Sequence, residues 1–289
     1  MKPAPFAYVR AVSVADAIQV LDDEGGMARV LAGGQSLVPM LNMRLMRPST
    51  LVDLNGLEDE LGRIETDGTD TVVGALVRYT TLDRSSVVSE RLPLLQNVVR
   101  YIGDRAVRNR GTLGGAVAQS DPTGEMPLAC QALGARVVAR STRDERVIPI
   151  EDFFVGAYAN ALEPDELVVA VRFPIAPARF RFFELTRKHN DWAVLAVAAL
   201  GDVDAGGRWT SVRLALGGVN DRPVLARAAA QRLEGRRWDR STVEEAADLA
   251  LEDVNPPDDV RASAEYRRHL VPIHVRRALS ELAEGAPGG

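Results

Sequence analysis

The chain has 289 residues, of which 46% are hydrophobic, and its formal net charge is −5. This apolar content is enough for a large core, and the length predicts two or three lobes. An acidic balance without a basic block excludes the electrostatic footprint of a nucleic-acid-binding protein. No segment approaches the roughly 20 apolar residues that span a bilayer, and the N-terminus lacks a signal-peptide pattern, so we expect a cytoplasmic protein without a membrane span.

Cysteine and histidine content limits the metal chemistry of the chain. Cys130 is the single cysteine, so the chain forms no internal disulfide and cannot by itself hold an iron–sulfur cluster, which takes about four thiolates. The three histidines, His189, His269 and His274, lack the spacing of a helical metal site. No metal site is predicted.

The first predicted lobe, residues 1–53, has a β-α-β-like order. Ser13 followed by Asp16 is typical of a capped helix start, and an apolar helical face follows. The apolar run at 28–33 predicts a buried strand, which leads into a glycine turn and a brief helix. A second strand is predicted at 50–55.

The second predicted lobe, residues 54–177, begins with an alternating pattern around Asp67 and Gly68, which is a strong signal for a β-hairpin. Two helices are expected next, before a second glycine cluster at 108–127. A helix and two paired strands then precede a last strand at 166–174.

The third predicted lobe, residues 178–289, follows a linker between Pro174 and Pro177. Three apolar segments at its start predict an antiparallel sheet. The rest is expected to be helical, including a long segment from Asp258 to about Glu284. Strands followed by helices indicate an α+β architecture.

Two clusters of small residues are the candidate binding elements of the chain. Such turns let a ligand approach the backbone, and successive N–H groups before a helix suit phosphate oxygens. Together, the two loops suit a dinucleotide diphosphate held from both sides; plain structural turns are the alternative. The first loop comprises Ala32, Gly33, Gly34, Gln35 and Ser36, and the second comprises Thr112, Leu113, Gly114 and Gly115.

The two glycine loops and the methionines near the first of them disfavour a Rossmann motif, a Walker motif and a redox role. Neither loop has the G-x-G-x-x-G pattern of a Rossmann fold, and neither carries the lysine of a Walker loop, which argues against NTP hydrolysis. The series Met40, Met43 and Met46, spaced by three, is interpreted as core packing.

Six stretches in chain order carry a family resemblance: MKPAPFAYVR, AGGQSLVPMLNMRLMRP, RNRGTLGGAVAQSDPTGEMP, RKHNDWAVLAVAA, LGGVNDRPV and ASAEYRRHL. With them the chain resembles the FAD-binding medium subunit of molybdenum hydroxylases, the family of the aerobic carbon monoxide dehydrogenase medium subunit and the xanthine dehydrogenase flavin domain. The resemblance implies a PCMH-type, vanillyl-alcohol-oxidase-like fold. In it, two α+β subdomains over 1–53 and 54–177 bind FAD, and 178–289 forms a C-terminal domain with an antiparallel sheet and helices.

The resemblance also implies a set of FAD-binding residues. The loop from Ala32 to Ser36 would bind the pyrophosphate, and the loop from Thr112 to Ala116 would complete the diphosphate and ribityl contacts. Further implied cofactor contacts are Ile102, Asp121, Glu125, Val168, Lys188 and Trp192.

Three of these positions depart from the simplest expectation for a flavin-binding residue. Trp192 is expected to screen the isoalloxazine, with packing in the domain core as the alternative. Gln35 stands where some members have histidine, so non-covalent FAD is expected. Glu184 stands where relatives often have lysine, and it is left out of the predicted site.

The function implied by the resemblance is electron transfer within a complex. A large molybdopterin subunit would hydroxylate a substrate, and a small subunit with [2Fe–2S] clusters would pass the electrons to FAD in this chain, in a dimer of heterotrimers. The flavin would then reduce an external acceptor, so no catalytic side chain is predicted. The alternatives are a stand-alone flavin reductase or oxidase of the same fold, and a dinucleotide-binding module without a redox role.

Overall fold

A computed structural model describes residues 2–177, 179–188 and 191–284. The first lobe contains a three-stranded parallel sheet in the order β1-β3-β2. As predicted, Ser13 caps the first helix, because its Oγ accepts a 3.0 Å hydrogen bond from the Asp16 amide. The elements are β1 (Ala7–Arg10), α1 (Val14–Asp23), β2 (Ala28–Leu31), α2 (Leu37–Asn42) and β3 (Thr50–Asp53).

The second lobe is built on a five-stranded antiparallel sheet and a group of short helices. It begins with α3 (Glu58–Leu61), β4 (Ile64–Asp67), β5 (Asp70–Gly74), α4 (Tyr79–Arg84), α5 (Ser86–Arg91), α6 (Pro93–Val98), a 3-10 turn (Val99–Tyr101) and α7 (Arg105–Arg110). It continues with α8 (Leu113–Gln119), α9 (Glu125–Leu133), β6 (Arg136–Arg140), β7 (Glu145–Pro149), α10 (Ile150–Phe153), β8 (Phe154–Gly156), β9 (Ala159–Asn160) and β10 (Leu167–Phe173). The sheet order is β4-β5-β10-β6-β7, so the predicted hairpin and the predicted last strand are confirmed.

The two helices predicted after the hairpin are in fact three. Ser85 and Leu92 interrupt them with ψ angles of 123° and 52°. Leu92 precedes Pro93, and the proline ring disfavours helical backbone at the residue before it. Pro93 then starts α6 at a position where its missing N–H costs nothing.

The third lobe is an antiparallel sheet of order β11-β12-β13-β14, covered by helices. Its elements are β11 (Phe180–Leu185), β12 (Leu195–Val203), β13 (Trp209–Gly217), β14 (Val224–Leu225), α11 (Arg227–Leu233), α12 (Arg240–Leu249), a 3-10 turn (Ala250–Asp253) and α13 (Ala264–Ala283). The helix predicted from Asp258 begins only at Ala264, because the Asp258 and Asp259 carboxylates accept amide hydrogen bonds that hold a turn before it. The α+β class is confirmed.

Strand β12 lies between two cores, which explains why its sequence is apolar without alternation. Ala196 and Ala198 pack into the core of the second lobe, whereas Leu195 and Val197 pack under α13 in the core of the third lobe. Successive strand residues face opposite sides, so this sheet is buried on both faces. The third lobe is therefore fixed against the second by a shared core.

The first two lobes also share a core. Leu76, Val138 and Leu167 of the second lobe pack with Ile18 and Val52 of the first. This packing sets the relative position of the two glycine loops, and Gly33 of the first loop touches the backbone of Arg110, just before the second. No described helix has the length and apolar character needed to cross a membrane.

Candidate functional site

A cavity of about 670 Å³ lies between the first and second lobes. Its volume is within the roughly 300–1,000 Å³ usual for small-molecule sites. Both glycine loops contribute to its wall. The predicted site residues that line it are Ala32, Gly33, Gly34, Gln35, Ser36, Ile102, Thr112, Gly114, Gly115, Ala116, Asp121, Glu125 and Val168.

The first glycine loop connects β2 to α2 and directly touches the segment before the second loop. A Cβ atom on Gly33 would lie 2.2 Å from the carbonyl oxygen of Arg110, a distance that real Cβ atoms do not reach. Gly34 has a φ of +73°, the left-handed region that favours glycine. Gly33 is thus required by the contact between the loops, and Gly34 by the turn itself.

The backbone amides of the first loop are free to bind a ligand. In the described part of the chain, no protein acceptor takes a hydrogen bond from the amides of Gly33, Gly34, Gln35 or Ser36. The Ser36 hydroxyl does not cap α2 either. Gly33 is buried and Gly34 is half-buried, so their unpartnered amides are costly, whereas Gln35 and Ser36 are exposed. A phosphate group would satisfy several of these amides at once. This loop has the properties predicted for an anion site.

The second loop differs from the prediction, because its amides are already used inside the protein. The amides of Leu113 and Gly114 donate to the carbonyls of Val77 and Ala75, each at 3.0 Å. The Gly115 amide donates to Thr112 Oγ1 at 3.1 Å. The predicted nest of free amides at this loop is therefore wrong; the loop contributes a close-packed wall and the Thr112 hydroxyl.

Acidic residues lie in and next to the cavity wall: Asp121 and Glu125 line it, and Glu184 lies close to Glu125. Asp121 accepts hydrogen bonds from the amide and hydroxyl of Thr123, at 2.9 and 2.8 Å. Burial raises the pKa of Glu125 to about 7, and the nearby Asp121 charge adds to the shift. Burial raises the pKa of Glu184, on β11, to about 8, with Glu125 adding to it. Glu184 Oε1 is buried and has no hydrogen-bond partner among the described residues, so the charged form of this carboxyl group is not stabilised by any donor there.

Comparison with known proteins identifies the family. Residues 4–176 match the FAD binding domain in molybdopterin dehydrogenase, and residues 180–282 match the CO dehydrogenase flavoprotein C-terminal domain. The chain belongs to the family of FAD-binding medium subunits of molybdenum hydroxylases. It is therefore an FAD-binding subunit of an oxidoreductase, as the resemblance implied.

The relatives of this medium subunit match it from end to end. It is 34% identical to the glyceraldehyde dehydrogenase medium chain of Sulfolobus acidocaldarius, over 98% of this chain and 100% of that one. It is 36% identical to the carbon monoxide dehydrogenase medium chain of Afipia carboxidovorans, over 96% and 97%. In three dimensions it matches the quinoline 2-oxidoreductase of Pseudomonas putida 86 with a TM-score of 0.93, at 38% identity and 99% coverage of both chains.

The cavity of the medium subunit suits FAD in its volume, its hydrogen-bond donors and its apolar lining. The free amides of the first loop suit a diphosphate, and Gly34 permits the turn that presents them. Apolar side chains such as Ile102 and Val168 supply surface for a flat ring system. The roles of individual residues in FAD binding stay predictions.

Three predicted site residues of the medium subunit lie outside the cavity wall. Leu113 is fully buried behind it. Lys188 is exposed and is not among the lining residues. Trp192 is also absent from the lining, and the Arg261 guanidinium stacks 4.6 Å above its ring centroid. Trp192 is 54% exposed, so the alternative that it packs in the core is wrong.

Trp192→Ala tests the remaining role of this ring. If Trp192 screens the isoalloxazine, as predicted, the substitution changes the absorption spectrum or the reduction behaviour of the bound flavin. The free energy of unfolding is expected to change by less than about 1 kcal/mol, because the ring is half exposed. An unchanged flavin in spectroscopic and reductive titrations would show that Trp192 is not a cofactor neighbour.

Several lining residues escaped the sequence analysis. The interpretation of the methionine series as core packing is wrong, because Met40 and Met46 line the cavity and Met43 is 52% exposed. The helix α2 is short and lies at the protein surface. The spacing of the methionines by three therefore does not place them in a core. Arg29 and Tyr158 also line the cavity, and no local pattern distinguishes them from surface residues.

The predicted absence of a metal site concerns the histidines and the acidic residues. Among residues 2–177, 179–188 and 191–284, no group of three or more histidine, cysteine or acidic side chains is arranged to hold a metal ion. His269 is exposed on α13 and His274 is partly exposed. His189 lies outside the described residues.

Proposed function

We propose that this medium subunit binds FAD non-covalently in the cavity between its first two lobes and uses it to transfer electrons. The electrons would come from [2Fe–2S] clusters of a small subunit, after substrate oxidation in a large molybdopterin subunit, and would pass to an external acceptor. The complex would be a dimer of heterotrimers in the cytoplasm. The single cysteine, Cys130, is buried in the core, which supports a division of labour in which other chains hold the clusters.

The observation that carries the FAD site is the run of unpartnered amides in the first loop, at the wall of a cavity of suitable volume. In the proposed complex, the amides from Gly33 to Ser36 hold the diphosphate. The Thr112 hydroxyl is positioned at the same wall, and Glu125 and Asp121 are available to ribityl or ribose hydroxyls. Bound FAD supplies the exchange between one-electron donors and a two-electron acceptor.

The first test is the flavin content of the purified full chain. We expect FAD to be released completely into the supernatant by acid precipitation, because the side chain at position 35 is an amide that forms no flavin linkage. Absorbance of the supernatant and of the dissolved pellet measures the two fractions. Flavin that stays with the precipitated protein would contradict non-covalent binding.

Copurification tests the assembly. We expect the tagged chain, expressed with its neighbouring genes, to bring down two further subunits, one containing molybdenum and one containing iron and acid-labile sulfur. A chain that binds FAD and reduces acceptors alone would favour a stand-alone reductase. A chain that shows no flavin absorption after addition of FAD would favour a module without a redox role.

A further inference from the structure

The two glycine loops are joined by a chain of side-chain hydrogen bonds behind the cavity wall. It starts at Asn55, which follows β3 in the sequence. Asn55 Nδ2 donates to the carbonyl oxygen of Ala32, in the first loop, at 2.9 Å. Asp53 fixes this side chain, because its Oδ1 accepts from the Asn55 amide nitrogen at 2.9 Å and from Nδ2 at 2.5 Å. Its bonds to Asp53 and to the Ala32 carbonyl thus fix the orientation of the Asn55 side chain.

Arg78 continues the chain of hydrogen bonds to Arg110, the last residue of α7, just before the second loop. Its Nη2 donates to Asn55 Oδ1 at 2.6 Å, and its Nη1 donates to the carbonyl oxygen of Arg110 at 2.6 Å. The backbone of Arg78 also forms an isolated antiparallel β-bridge with Thr112. Its side chain is only 17% exposed. A planar guanidinium is suited to such a link, because it presents two donors in a fixed geometry.

The linked carbonyls lie on either side of the point where the loops touch. Arg110 is the residue whose carbonyl oxygen closely approaches Gly33. Neither Asn55 nor Arg78 is among the residues that line the cavity. Their hydrogen bonds therefore act on the separation of the two loops and not directly on a ligand.

We propose that Arg78 and Asn55 are positioning residues that hold the two glycine loops at the separation required by the diphosphate of FAD. This inference rests on the proposed FAD site. Without Arg78, the Arg110 carbonyl and Asn55 Oδ1 lose the hydrogen bonds that Arg78 donates, and the chain of hydrogen bonds from Ala32 to Arg110 is broken. A site that grips one ligand from two lobes is sensitive to small displacements of either side.

The test compares ligands that do and do not carry the diphosphate. Arg78→Ala, Arg78→Lys and Asn55→Ala are prepared in the full chain freed of flavin, and dissociation constants for FAD, ADP and riboflavin are measured by fluorescence or calorimetry. We expect each variant to weaken FAD and ADP by a similar factor, about 10-fold or more, and to leave riboflavin unchanged. Lysine restores the charge but does not reach both loops, so Arg78→Lys should resemble Arg78→Ala.

Two controls separate positioning from general destabilisation. Arg91→Ala removes a comparable arginine, which donates to Thr71 Oγ1 and the Thr69 carbonyl within the second lobe. It should lower the unfolding temperature without changing the ratio of ADP to riboflavin affinity. The double variant of Arg78 and Asn55 should weaken FAD no more than the stronger single variant, because both residues act through one chain of hydrogen bonds.

Different results would contradict the positioning role and the proposed function. Unchanged FAD and ADP affinities in the Arg78 variants would overturn the proposal, as would an equal loss for riboflavin, or additive effects in the double variant. If the unsubstituted chain binds neither FAD nor ADP, the proposed function fails, and the positioning role fails with it.

Discussion

Gly33→Ala is expected to lower FAD affinity by at least about 100-fold, equivalent to roughly 2.7 kcal/mol. The new Cβ would meet the Arg110 carbonyl at 2.2 Å and the Cα atom of Gly111 at 3.0 Å, and both contacts are to backbone. Neither can move aside as a side chain does, so the two loops must separate. The first loop, whose free amides line the cavity, is then displaced from the segment before the second loop. Titration of the flavin-free variant with FAD measures the loss.

Gly114→Ala is the informative comparison. Its Cβ would lie 2.5 Å from the Cβ of Ala75 and 2.7 Å from its Cα, in the core of the second lobe. This substitution should lower the free energy of unfolding as much as the FAD affinity, by a few kcal/mol, as overpacking does. Gly33→Ala, between two lobes, should reduce FAD affinity more than stability.

Gly68→Ala is the control for backbone strain alone. Gly68 has a φ of +59° in the exposed hairpin turn, and nothing lies within 4 Å of an added Cβ. The expected cost is about 1–2 kcal/mol of stability with no change in FAD affinity. Equal losses of fold and flavin binding in Gly33→Ala would contradict its role as a contact between the loops.

The elements that the sequence predicted correctly are those that depend on local chemistry. The Asp67-Gly68 turn, the Ser13 cap and the apolar strands all follow from residues a few positions apart. The pairing of β5 with β10 brings together segments about 100 residues apart, and no local signal specifies it. Local patterns therefore identified the elements, and tertiary packing determined their order in the sheets.

The candidate site shows the same contrast between what local sequence patterns predict and what tertiary packing determines. Both loops could be recognised from their glycines, yet the two loops use their amides differently. Leu113 and Gly114 donate to the backbone around Ala75 and Val77, because that segment leaves β5 alongside the second loop. This neighbour is distant in sequence, so the availability of the amides could not be predicted. Asn55 and Arg78 escaped notice for the same reason.

The position of Glu184 also depends on tertiary structure. It lies on β11, whose other residues Phe183 and Leu185 pack into the third lobe, while Phe182 packs against Tyr101 of the second. Strand alternation places Glu184 on the side of Phe182, facing the second lobe near Glu125. Glu184 is left out of the site predicted from the sequence because relatives often have lysine there; its side chain is not part of the cavity lining.

Glu184→Gln is expected to make the flavin-free chain more stable than the unsubstituted chain at pH 9, by about 2 kcal/mol or more. In the folded chain, burial raises the pKa of Glu184 to about 8, whereas an unfolded glutamate ionises near its ordinary value of 4.5. A raised pKa contributes stability below the unfolded value, and this contribution is lost as the pH rises through the folded value. Glutamine is neutral at every pH and keeps the shape of the protonated acid, so it should not destabilise the fold at pH 5.

Glu125→Gln should show the same behaviour at lower pH, because the folded pKa of Glu125 is about 7. The Glu125 charge adds to the raised pKa of Glu184, so Glu125→Gln should also lower the pKa of Glu184, and the double variant should lose less stability between pH 5 and 9 than either single variant. Glu65→Gln, on an exposed side chain of β4, is the control and should leave the profile unchanged. Urea denaturation at each pH measures the free energy of unfolding.

The same pair of acids connects pH to cofactor binding. Glu125 lines the cavity, so its ionisation, and that of Glu184 beside it, brings negative charge near the site proposed for an anionic diphosphate. FAD affinity should therefore decrease as the pH rises from 6 to 9, and Glu184→Gln should reduce that decrease. Because the first-loop amides do not titrate, the variant should bind FAD like the unsubstituted chain at pH 6. A variant with an unchanged stability profile and an unchanged FAD profile would show that Glu184 is not neutral beside the cavity.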